Sequence, residues 1–285
     1  MEDLDFTKPL QSPVYDPDAA LAFFRSAGAD ESVARGETFF VEHQKHRGLF
    51  HKDDKMYLLL EGEVRLVIGQ SVIDTIKPGE IFGEMDAISE MPRSMTAVAK
   101  TACRAISMRM SRFHEALSRT PEFALMLMSI MIDRLRLADA RLDVDHLSPV
   151  AAGWHEGRVV EKAVLAELLR EAGNLAPLRF MPRQPIMTAG ERGFYMYVVL
   201  EGSVAISVRG KVVEKVGPGS VFGEMALIDH SSRAASATAE TNCALLPISR
   251  NDFLALVKTQ PSFGEALLKT IADRLRFMMS HIPSN

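Results

Sequence analysis

The sequence predicts an α+β protein of two similar domains, each a small antiparallel β-roll of the jelly-roll type with flanking helices and a C-terminal helical hairpin. Three observations predict this fold: long segments recur at a fixed offset, each contains many short β-rich runs broken by Gly and Pro, and each ends in two helix-like segments separated at a proline. A chain of 285 residues suits two domains that each bury a core.

The internal repeat is the strongest of these observations. Three segments recur at an offset of 140 residues, namely FGEM (82–85 and 222–225), MYLLLEGEV with MYVVLEGSV (56–64 and 196–204), and DRLR (133–136 and 273–276). The same offset predicts that Phe40 and Gln44 align with Phe180 and Gln184 without a gap. It also pairs Cys103 with Cys243, which we expect to be small buried core residues and not a disulfide.

The helices and boundaries follow from the same reading. Pro121 and Pro261 each separate a short helix from a long one, and the long helices are predicted to end near residues 143 and 281. Residues 18–29 are predicted to form a leading helix and residues 158–174 another. We expect an N-terminal segment (1–30), a first domain (31–143), a linker (144–157) and a second domain (158–285).

Composition restricts the function classes. A net charge of −4 and a pI near 6.1 argue against a general nucleic-acid binder. The acidic N-terminus has no apolar core typical of a signal peptide, and no apolar run reaches the roughly 18 residues of a membrane-spanning helix. We therefore expect a soluble, cytoplasmic protein.

Two cassettes carry the candidate chemistry, FGEMDAISEMPRSMTAVA (82–99) and FGEMALIDHSSRAASATA (222–239). In each, an Arg lies nine residues after a Gly-Glu pair. Glycine lets the backbone approach a ligand, and the guanidinium fork matches two phosphate oxygens. The Glu carboxylate accepts a hydrogen bond from a sugar hydroxyl. The alternative for an isolated Glu and Arg is a surface ion pair, but recurrence in register favours a ligand site.

The pattern FGE-x-AL-x(5)-RAA resembles the phosphate-binding cassette of cyclic-nucleotide-binding domains, the family of cAMP-dependent protein kinase regulatory subunits and the bacterial cAMP receptor protein. The resemblance implies that Glu224 binds the ribose 2′-OH and Arg233 the cyclic phosphate, with backbone N–H groups of Gly223, Ala226 and Ala234 completing the cradle. Ala234 favours cAMP over cGMP as the ligand, and cyclic dinucleotides remain open. No other cofactor is implied.

The first cassette departs from the family pattern. Gly83, Glu84, Arg93 and Ser94 match it, but Asp86 stands where the family has Ala or Gly. A carboxylate there would repel a phosphate or pair with Arg93. Met95 also replaces a small residue. Two readings stay open for this cassette, a weakened site and a structural relic.

Other candidates were weighed against these cassettes. His43, His46 and His51 could suggest a cupin-like metal enzyme, but the positions expected to align with them are Arg183, Ile186 and Glu191. No Ser/His/Asp or Cys/His arrangement recurs in both repeats either, so we expect no metal and no catalysis. The resemblance suggests Trp154 and Phe277 as base caps of the first and second sites, with packing in the crevice between the domains as the alternative for Trp154. The first long helix is expected to be core, with a dimer seam or a ligand-responsive hinge as alternatives.

The sequence thus predicts a sensor that changes conformation or protein contacts when its second domain binds cAMP or a related cyclic nucleotide. Residues 158–174 offer one helix where a DNA-binding helix-turn-helix needs two, so no DNA-binding module is expected. Partners left open are an unidentified protein and a second copy of the chain. The rival is a regulatory scaffold with degenerate pockets that binds a protein without nucleotide.

Overall fold

A computed structural model of the chain describes residues 15–43, 54–141 and 176–280. The first repeat contains strands β1 (Ala29–Val33), β2 (Thr38–Phe40), β3 (Lys55–Glu61), β4 (Val64–Ile68), β5 (Ser71–Ile76), β6 (Ile81–Phe82), β7 (Thr96–Ala99) and β8 (Cys103–Arg109). The second contains β9 (Leu178–Phe180), β10 (Pro185–Met187), β11 (Tyr195–Glu201), β12 (Val204–Val208), β13 (Lys211–Val216), β14 (Val221–Phe222), β15 (Ser236–Ala239) and β16 (Cys243–Ser249). The helices are α1 (Pro17–Ala27), α2 (Glu84–Ser89), α3 (Met110–Arg119), α4 (Glu122–Arg141), α5 (Met225–Ile228), α6 (Arg250–Thr259) and α7 (Pro261–Ser280).

The strands of each repeat form two four-stranded sheets with the same connectivity. In the first repeat the sheet orders are β1-β8-β3-β6 and β2-β7-β4-β5; in the second they are β9-β16-β11-β14 and β10-β15-β12-β13. Every pairing is antiparallel. The predicted pair of antiparallel β-rolls is therefore confirmed.

The register of the leading strands corrects one sequence alignment. Val33 in β1 pairs with Cys103 in β8, and Phe180 in β9 pairs with Cys243 in β16. Phe180 therefore occupies the place of Val33 and not, as expected, that of Phe40. The gapless alignment of the leading segments is wrong, because the identical residues that it aligns do not pair with equivalent residues of the neighbouring strand.

The second leading strand shows the same shift. Phe40 pairs with Ala97 in β7, and Met187 pairs with the equivalent Ala237 in β15. The offset between repeats is thus 147 residues in these strands and 140 from β3 onward, so the first repeat is seven residues longer between β2 and β3. The expected partner of Gln184, Gln44, lies outside the described residues.

Each roll encloses its own apolar core between its two sheets. The buried residues of the first core are Val33, Phe40, Tyr57, Leu59, Val64, Leu66, Ile76, Phe82, Ala97, Ala99, Cys103 and Ala105, and those of the second include Tyr197, Val199, Val204, Ile206, Val216, Phe222, Ala237, Ala239, Cys243 and Leu245. Cys103 and Cys243 are free thiols, each 3% exposed, as predicted. The two cores use matching positions because the strand pattern repeats.

The helices follow the sequence prediction closely. Asp16 caps α1 by accepting hydrogen bonds from the N–H groups of Asp18 and Ala19. The buried Phe23 of α1 stacks on Phe123 of α4, with ring centroids 3.6 Å apart. The predicted hairpins are α3–α4 and α6–α7. None of the described helices combines the length and apolar composition needed to cross a bilayer.

The chain divides into two compact units whose boundaries cut through the long helices. The first unit comprises residues 1–133 and 271–285, and the second comprises residues 134–270. Each unit therefore contains one β-roll together with the end of the long helix that belongs to the other repeat. The expected linker (144–157) and helix (158–174) lie outside the described residues.

Candidate functional site

Both cassettes begin at a glycine with a left-handed backbone. Gly83 follows β6 with φ of 73°, and Gly223 follows β14 with φ of 84°. A short helix then starts, α2 in the first repeat and α5 in the second. This backbone geometry explains why glycine occupies both positions, since other residues rarely adopt it.

Close packing of an arginine adds a second reason for these glycines. A Cβ atom on Gly223 would lie 2.8 Å from Nη1 of Arg233. A Cβ atom on Gly83 would lie 3.2 Å from Nη1 of Arg93 and 2.9 Å from Cε1 of Phe40. The sequence pairing of Gly with Arg therefore corresponds to direct contact in both repeats.

The two cassette arginines hold the same position through the same backbone acceptors. Arg93 Nη1 donates to the Gly83 carbonyl at 2.7 Å, and Nη2 donates to that of Lys55 at 2.6 Å. Arg233 makes equivalent bonds to the carbonyls of Gly223 at 2.7 Å and Tyr195 at 2.5 Å. The guanidinium groups are therefore fixed in orientation by two main-chain oxygens.

The charge environments of the two arginines differ. The Asp54 carboxylate lies 3.8 Å from Arg93, with both side chains buried, and the Phe40 ring lies 4.3 Å from the guanidinium carbon. In the second repeat the place of Asp54 is taken by Phe194, which is 63% exposed and carries no charge. Burial lowers the pKa of Arg233. Arg233 is thus a buried cation without the nearby aspartate that Arg93 has.

The cassette glutamates are almost fully enclosed. Glu84 and Glu224 are each 1% exposed, at the first turn of the cassette helix. Attraction to Glu224 partly offsets the lowering of the Arg233 pKa by burial. A buried carboxylate and a buried guanidinium in one cassette suit a ligand that carries both a hydroxyl and an anion.

Asp86 does not pair with Arg93, contrary to one expectation. Its Oδ2 accepts hydrogen bonds from the backbone N–H and the hydroxyl of Ser94, both at 2.9 Å. Its Oδ1 accepts from Arg276 of α7, which also donates to the Pro92 carbonyl at 2.7 Å. All of these residues belong to the first compact unit. The reason is geometric: the Arg93 fork faces backbone carbonyls, while the carboxylate faces Ser94 and α7.

The second cassette has no counterpart of that carboxylate network. Ala226 and Ala234 stand at the positions of Asp86 and Ser94 and carry no polar side-chain group. The equivalent of Arg276 is Arg136 of α4, which pairs with Asp229 and donates to the Ser232 carbonyl at 3.1 Å. Asp229 caps the C-terminal end of α5, so this ion pair lies at the opposite end of the cassette helix.

The structure describes one residue of the histidine cluster, His43. The backbone N–H of His43 donates to the Arg93 carbonyl at 2.8 Å, and that of Gly190 donates to the Arg233 carbonyl at 2.9 Å. His43 therefore corresponds to Gly190 and not to Arg183. His46 and His51 lie outside the described residues. In the ranges that the structure describes, no three His, Cys, Asp or Glu side chains are grouped to hold a metal.

The two expected base caps, Trp154 and Phe277, stay predictions. Phe277 belongs to the first compact unit, whereas the second cassette belongs to the second. The end of α7 falls with the other β-roll, which repeat alignment alone does not reveal. Trp154 lies outside the described residues. Met95 packs against the first core.

Sequence reasoning missed several residues that shape these cassettes. Asp54 lies beside Arg93, and a Cβ atom on Gly193 would lie 2.7 Å from the Arg233 guanidinium carbon. Both are isolated positions without a recognisable sequence pattern. Arg136 and Arg276 end the repeated DRLR motif, so repetition singled them out, but their partners are 93 and 190 residues away in sequence. Only the folded chain shows that both arginines contact cassettes.

Comparison with known proteins agrees with this arrangement. The cyclic nucleotide-binding domain family matches residues 40–120 and again residues 177–260. A cyclic AMP receptor protein from Thermus thermophilus is 36% identical over 98 residues, which are 33% of this chain and 45% of the relative. A cAMP-dependent protein kinase regulatory subunit from Eremothecium gossypii is 27% identical over 209 residues, 72% of this chain and 40% of the relative. The chain spans less than half the length of these two curated relatives.

Among solved structures, the regulatory domain of Toxoplasma gondii protein kinase A in complex with cAMP is 20% identical, with 86% of this chain and 87% of that chain covered and a TM-score of 0.31. The two family matches cover more than half of the chain and coincide with the two β-rolls and their cassettes. This chain belongs to the cyclic nucleotide-binding domain family and carries two copies of that domain.

Proposed function

We propose that the chain is a cytoplasmic cyclic-nucleotide sensor, not an enzyme, and that it binds cAMP mainly in its second domain. The observation that carries this proposal is the buried Arg233, whose pKa is lowered by burial and which has no aspartate at the place that Asp54 occupies beside Arg93. A phosphate would supply an anion that the aspartate supplies in the first repeat. The names of the cAMP-related relatives support cAMP as the first ligand to test.

The proposed contacts use the second cassette as a unit. The guanidinium of Arg233 binds the exocyclic oxygens of the cyclic phosphate, and the Glu224 carboxylate accepts the ribose 2′-OH. Backbone N–H groups of Gly223, Ala226 and Ala234 complete the cradle. The small side chains of both alanines leave the ligand room for close approach. Ala234 also favours cAMP over cGMP, since cGMP-preferring relatives often place Thr there.

The output follows from the contact between the cassette and α4. Ser232 immediately precedes Arg233, and its carbonyl accepts a hydrogen bond from Arg136. A ligand that draws Arg233 away from the carbonyls of Gly223 and Tyr195 therefore also moves an acceptor of α4. The ligand shifts the equilibrium only by its differential affinity for the two arrangements. The proposed readout is an altered contact with a protein partner or a second copy of the chain.

Titration calorimetry with cAMP, cGMP and a cyclic dinucleotide tests this function. We expect cAMP to bind one site per chain. Arg233→Lys keeps the charge but removes the bidentate fork, so it is expected to cost on the order of 2–4 kcal/mol of binding free energy. Arg104→Lys, at a side chain that is 56% exposed, is the control and is expected to bind as the unaltered chain does.

The possible outcomes separate the proposal from its rival. A chain that binds none of these nucleotides at near-millimolar concentration is a scaffold with degenerate pockets, and the sensor proposal fails. Loss of binding in Arg93→Lys but not in Arg233→Lys would place the ligand in the first domain. Thermal unfolding of each variant verifies that lost binding does not reflect a lost fold.

A further inference from the structure

The first cassette already contains an anion, and that anion is part of the chain. The Asp86 carboxylate is 4% exposed and has three hydrogen-bond donors: the Ser94 amide and hydroxyl, both at 2.9 Å, and the Arg276 guanidinium. A backbone amide, a hydroxyl and a guanidinium are the kinds of group that hold a phosphate. Here a carboxylate occupies all three.

The cassette arginine of this domain also has an anionic partner within the chain. Arg93 lies 3.8 Å from Asp54, and these side chains are 5% and 2% exposed. A nucleotide phosphate entering this cassette would approach two buried carboxylates. One of them, Asp86, already accepts hydrogen bonds from the donor groups that the phosphate needs. Like charges at short range in a buried site repel strongly.

The second cassette shows the same framework without the internal anion. Ala226 replaces Asp86 and Ala234 replaces Ser94, so the second cassette carries neither a carboxylate nor a hydroxyl at these two positions. The equivalent helix arginine, Arg136, forms an ion pair with Asp229, at the C-terminal end of α5. In both cassettes the helix arginine pairs with an acidic residue. The cassettes differ in the position of that residue.

We propose that Asp86 is a built-in occupant of the first phosphate cradle, which closes this domain to cyclic nucleotides and, through Arg276, keeps α7 attached to the cassette without any ligand. Asp86 is then the residue that makes the chain a one-site sensor. The inference deepens the proposed function and rests on it for the identity of the ligand. The first domain acts as a fixed counterpart to a second domain that responds.

Reciprocal substitutions test this inference by calorimetry with cAMP on the full chain. Asp86→Ala gives the first cassette the residue found at position 226, and Asp86→Asn removes only the charge. At least one of the two is expected to raise the stoichiometry from one to two nucleotides per chain. The converse double variant, Ala226→Asp with Ala234→Ser, is expected to weaken binding to the second cassette by about a hundredfold or more.

The failure of this inference is distinct from the failure of the proposed function. The inference is overturned if the unaltered chain binds two nucleotides, or if both Asp86 variants fold but neither gains a site. If the unaltered chain binds none while an Asp86 variant binds one, the sensor proposal fails and the inference stands. If the unaltered chain binds one nucleotide and both Asp86 variants also bind only one, the proposed function stands and the inference fails.

A measurement on the unaltered chain avoids reliance on variants that unfold. In amide NMR spectra, saturating cAMP is expected to shift the resonances of Arg233 and Ala234 and to leave that of Ser94 unchanged, because the Ser94 N–H already donates to Asp86. A shift of Ser94 comparable to that of Ala234 would show that nucleotide displaces the carboxylate, which contradicts the proposal.

Discussion

Arg136 and Arg276 stand 140 residues apart and make the same main-chain contact, since each donates to the carbonyl that immediately precedes a cassette arginine. The acceptors are Ser232 at 3.1 Å and Pro92 at 2.7 Å. The C-terminal part of each long helix thereby contacts the cassette of the compact unit to which that part belongs. Because the contact is shared, the difference between the cassettes must come from their own side chains.

The ion pair of Arg136 with Asp229 is expected to contribute measurably to stability. Their side chains are 25% and 5% exposed, so Asp229 loses most of its hydration and depends on its partner. In a double-mutant cycle of Arg136→Gln and Asp229→Asn, followed by urea unfolding, we expect a coupling free energy of about 1–3 kcal/mol.

The matched control is the ion pair of Arg104 with Glu61, whose side chains are 56% and 62% exposed. Water screens this pair, so the same cycle is expected to give about 0–1 kcal/mol. Equal coupling in the two cycles would mean that the Arg136 contact is an ordinary surface pair and would remove it as a route from the cassette to α4.

The sequence was sufficient for the parts of the fold that depend on local pattern. Short β-rich runs, turn glycines and prolines before the long helices predicted two β-rolls with helical hairpins. The 140-residue offset held from β3 to the end of α7, where no length change intervenes. The spacing of Gly-Glu and Arg likewise assigned Gly223 and Arg233 to one candidate site, because both lie in one short segment. Their direct contact is shown by the structure alone.

What the sequence did not provide depends on contacts distant in the chain. The match of Phe40 with Phe180 was coincidental, and only strand pairing shows the seven-residue difference. The Asp86 contact with Arg276 spans 190 residues and joins an acid of one repeat to the helix of the other. From the sequence, Arg93 was the expected partner of Asp86 because it lies nearby in the chain. In the fold, Arg93 donates to backbone carbonyls instead.

Replacement of Gly223 by alanine is expected to disturb the second cassette through Arg233. The substitution forces a side chain into a left-handed conformation at φ of 84° and places its Cβ 2.8 Å from the guanidinium. Gly210→Ala is the control, because φ there is 79° and nothing lies within 4 Å of the added atom. We expect Gly210→Ala to cost about 1–2 kcal/mol of stability from the backbone alone.

Gly223→Ala is expected to cost more than this and also to weaken cAMP binding, while Gly210→Ala leaves binding unchanged. Chemical denaturation and calorimetry measure the two effects. If both variants lose the same stability and bind cAMP equally well, the close approach of Gly223 to Arg233 has no part in forming the site.

Gly193→Ala provides a purely steric test of the same site, because Gly193 does not adopt a left-handed backbone. A Cβ there would lie 2.7 Å from both the Arg233 guanidinium carbon and the Ala226 Cβ. We expect a loss of about 1–3 kcal/mol in stability and a weaker affinity for cAMP. Gly217→Ala, where nothing lies within 4 Å, is expected to change neither quantity. Wild-type affinity in Gly193→Ala would indicate that Arg233 can move without consequence for the ligand.

Tyr57 is expected to make the first domain sensitive to alkaline pH. Burial, with a further contribution from Glu31, raises the pKa of Tyr57 from 10.0 to about 12, although Arg93 opposes the shift. The folded state therefore keeps a proton that the unfolded state loses above pH 10. The stabilising contribution is complete below pH 10 and disappears as the pH rises toward 12, with a total of about 2–3 kcal/mol.

Urea unfolding at intervals from pH 9 to 12 measures this contribution. Tyr57→Phe removes the titrating hydroxyl while preserving the ring that stacks on Phe82, so its stability is expected to fall less steeply over this range than that of the unaltered chain. Tyr195→Phe, at a residue that is 46% exposed, is expected to retain the original slope. Identical slopes in all three proteins would contradict the assignment of alkaline sensitivity to Tyr57, since the decline arises because the exposed phenol of the unfolded state loses its proton at a lower pH than the buried one.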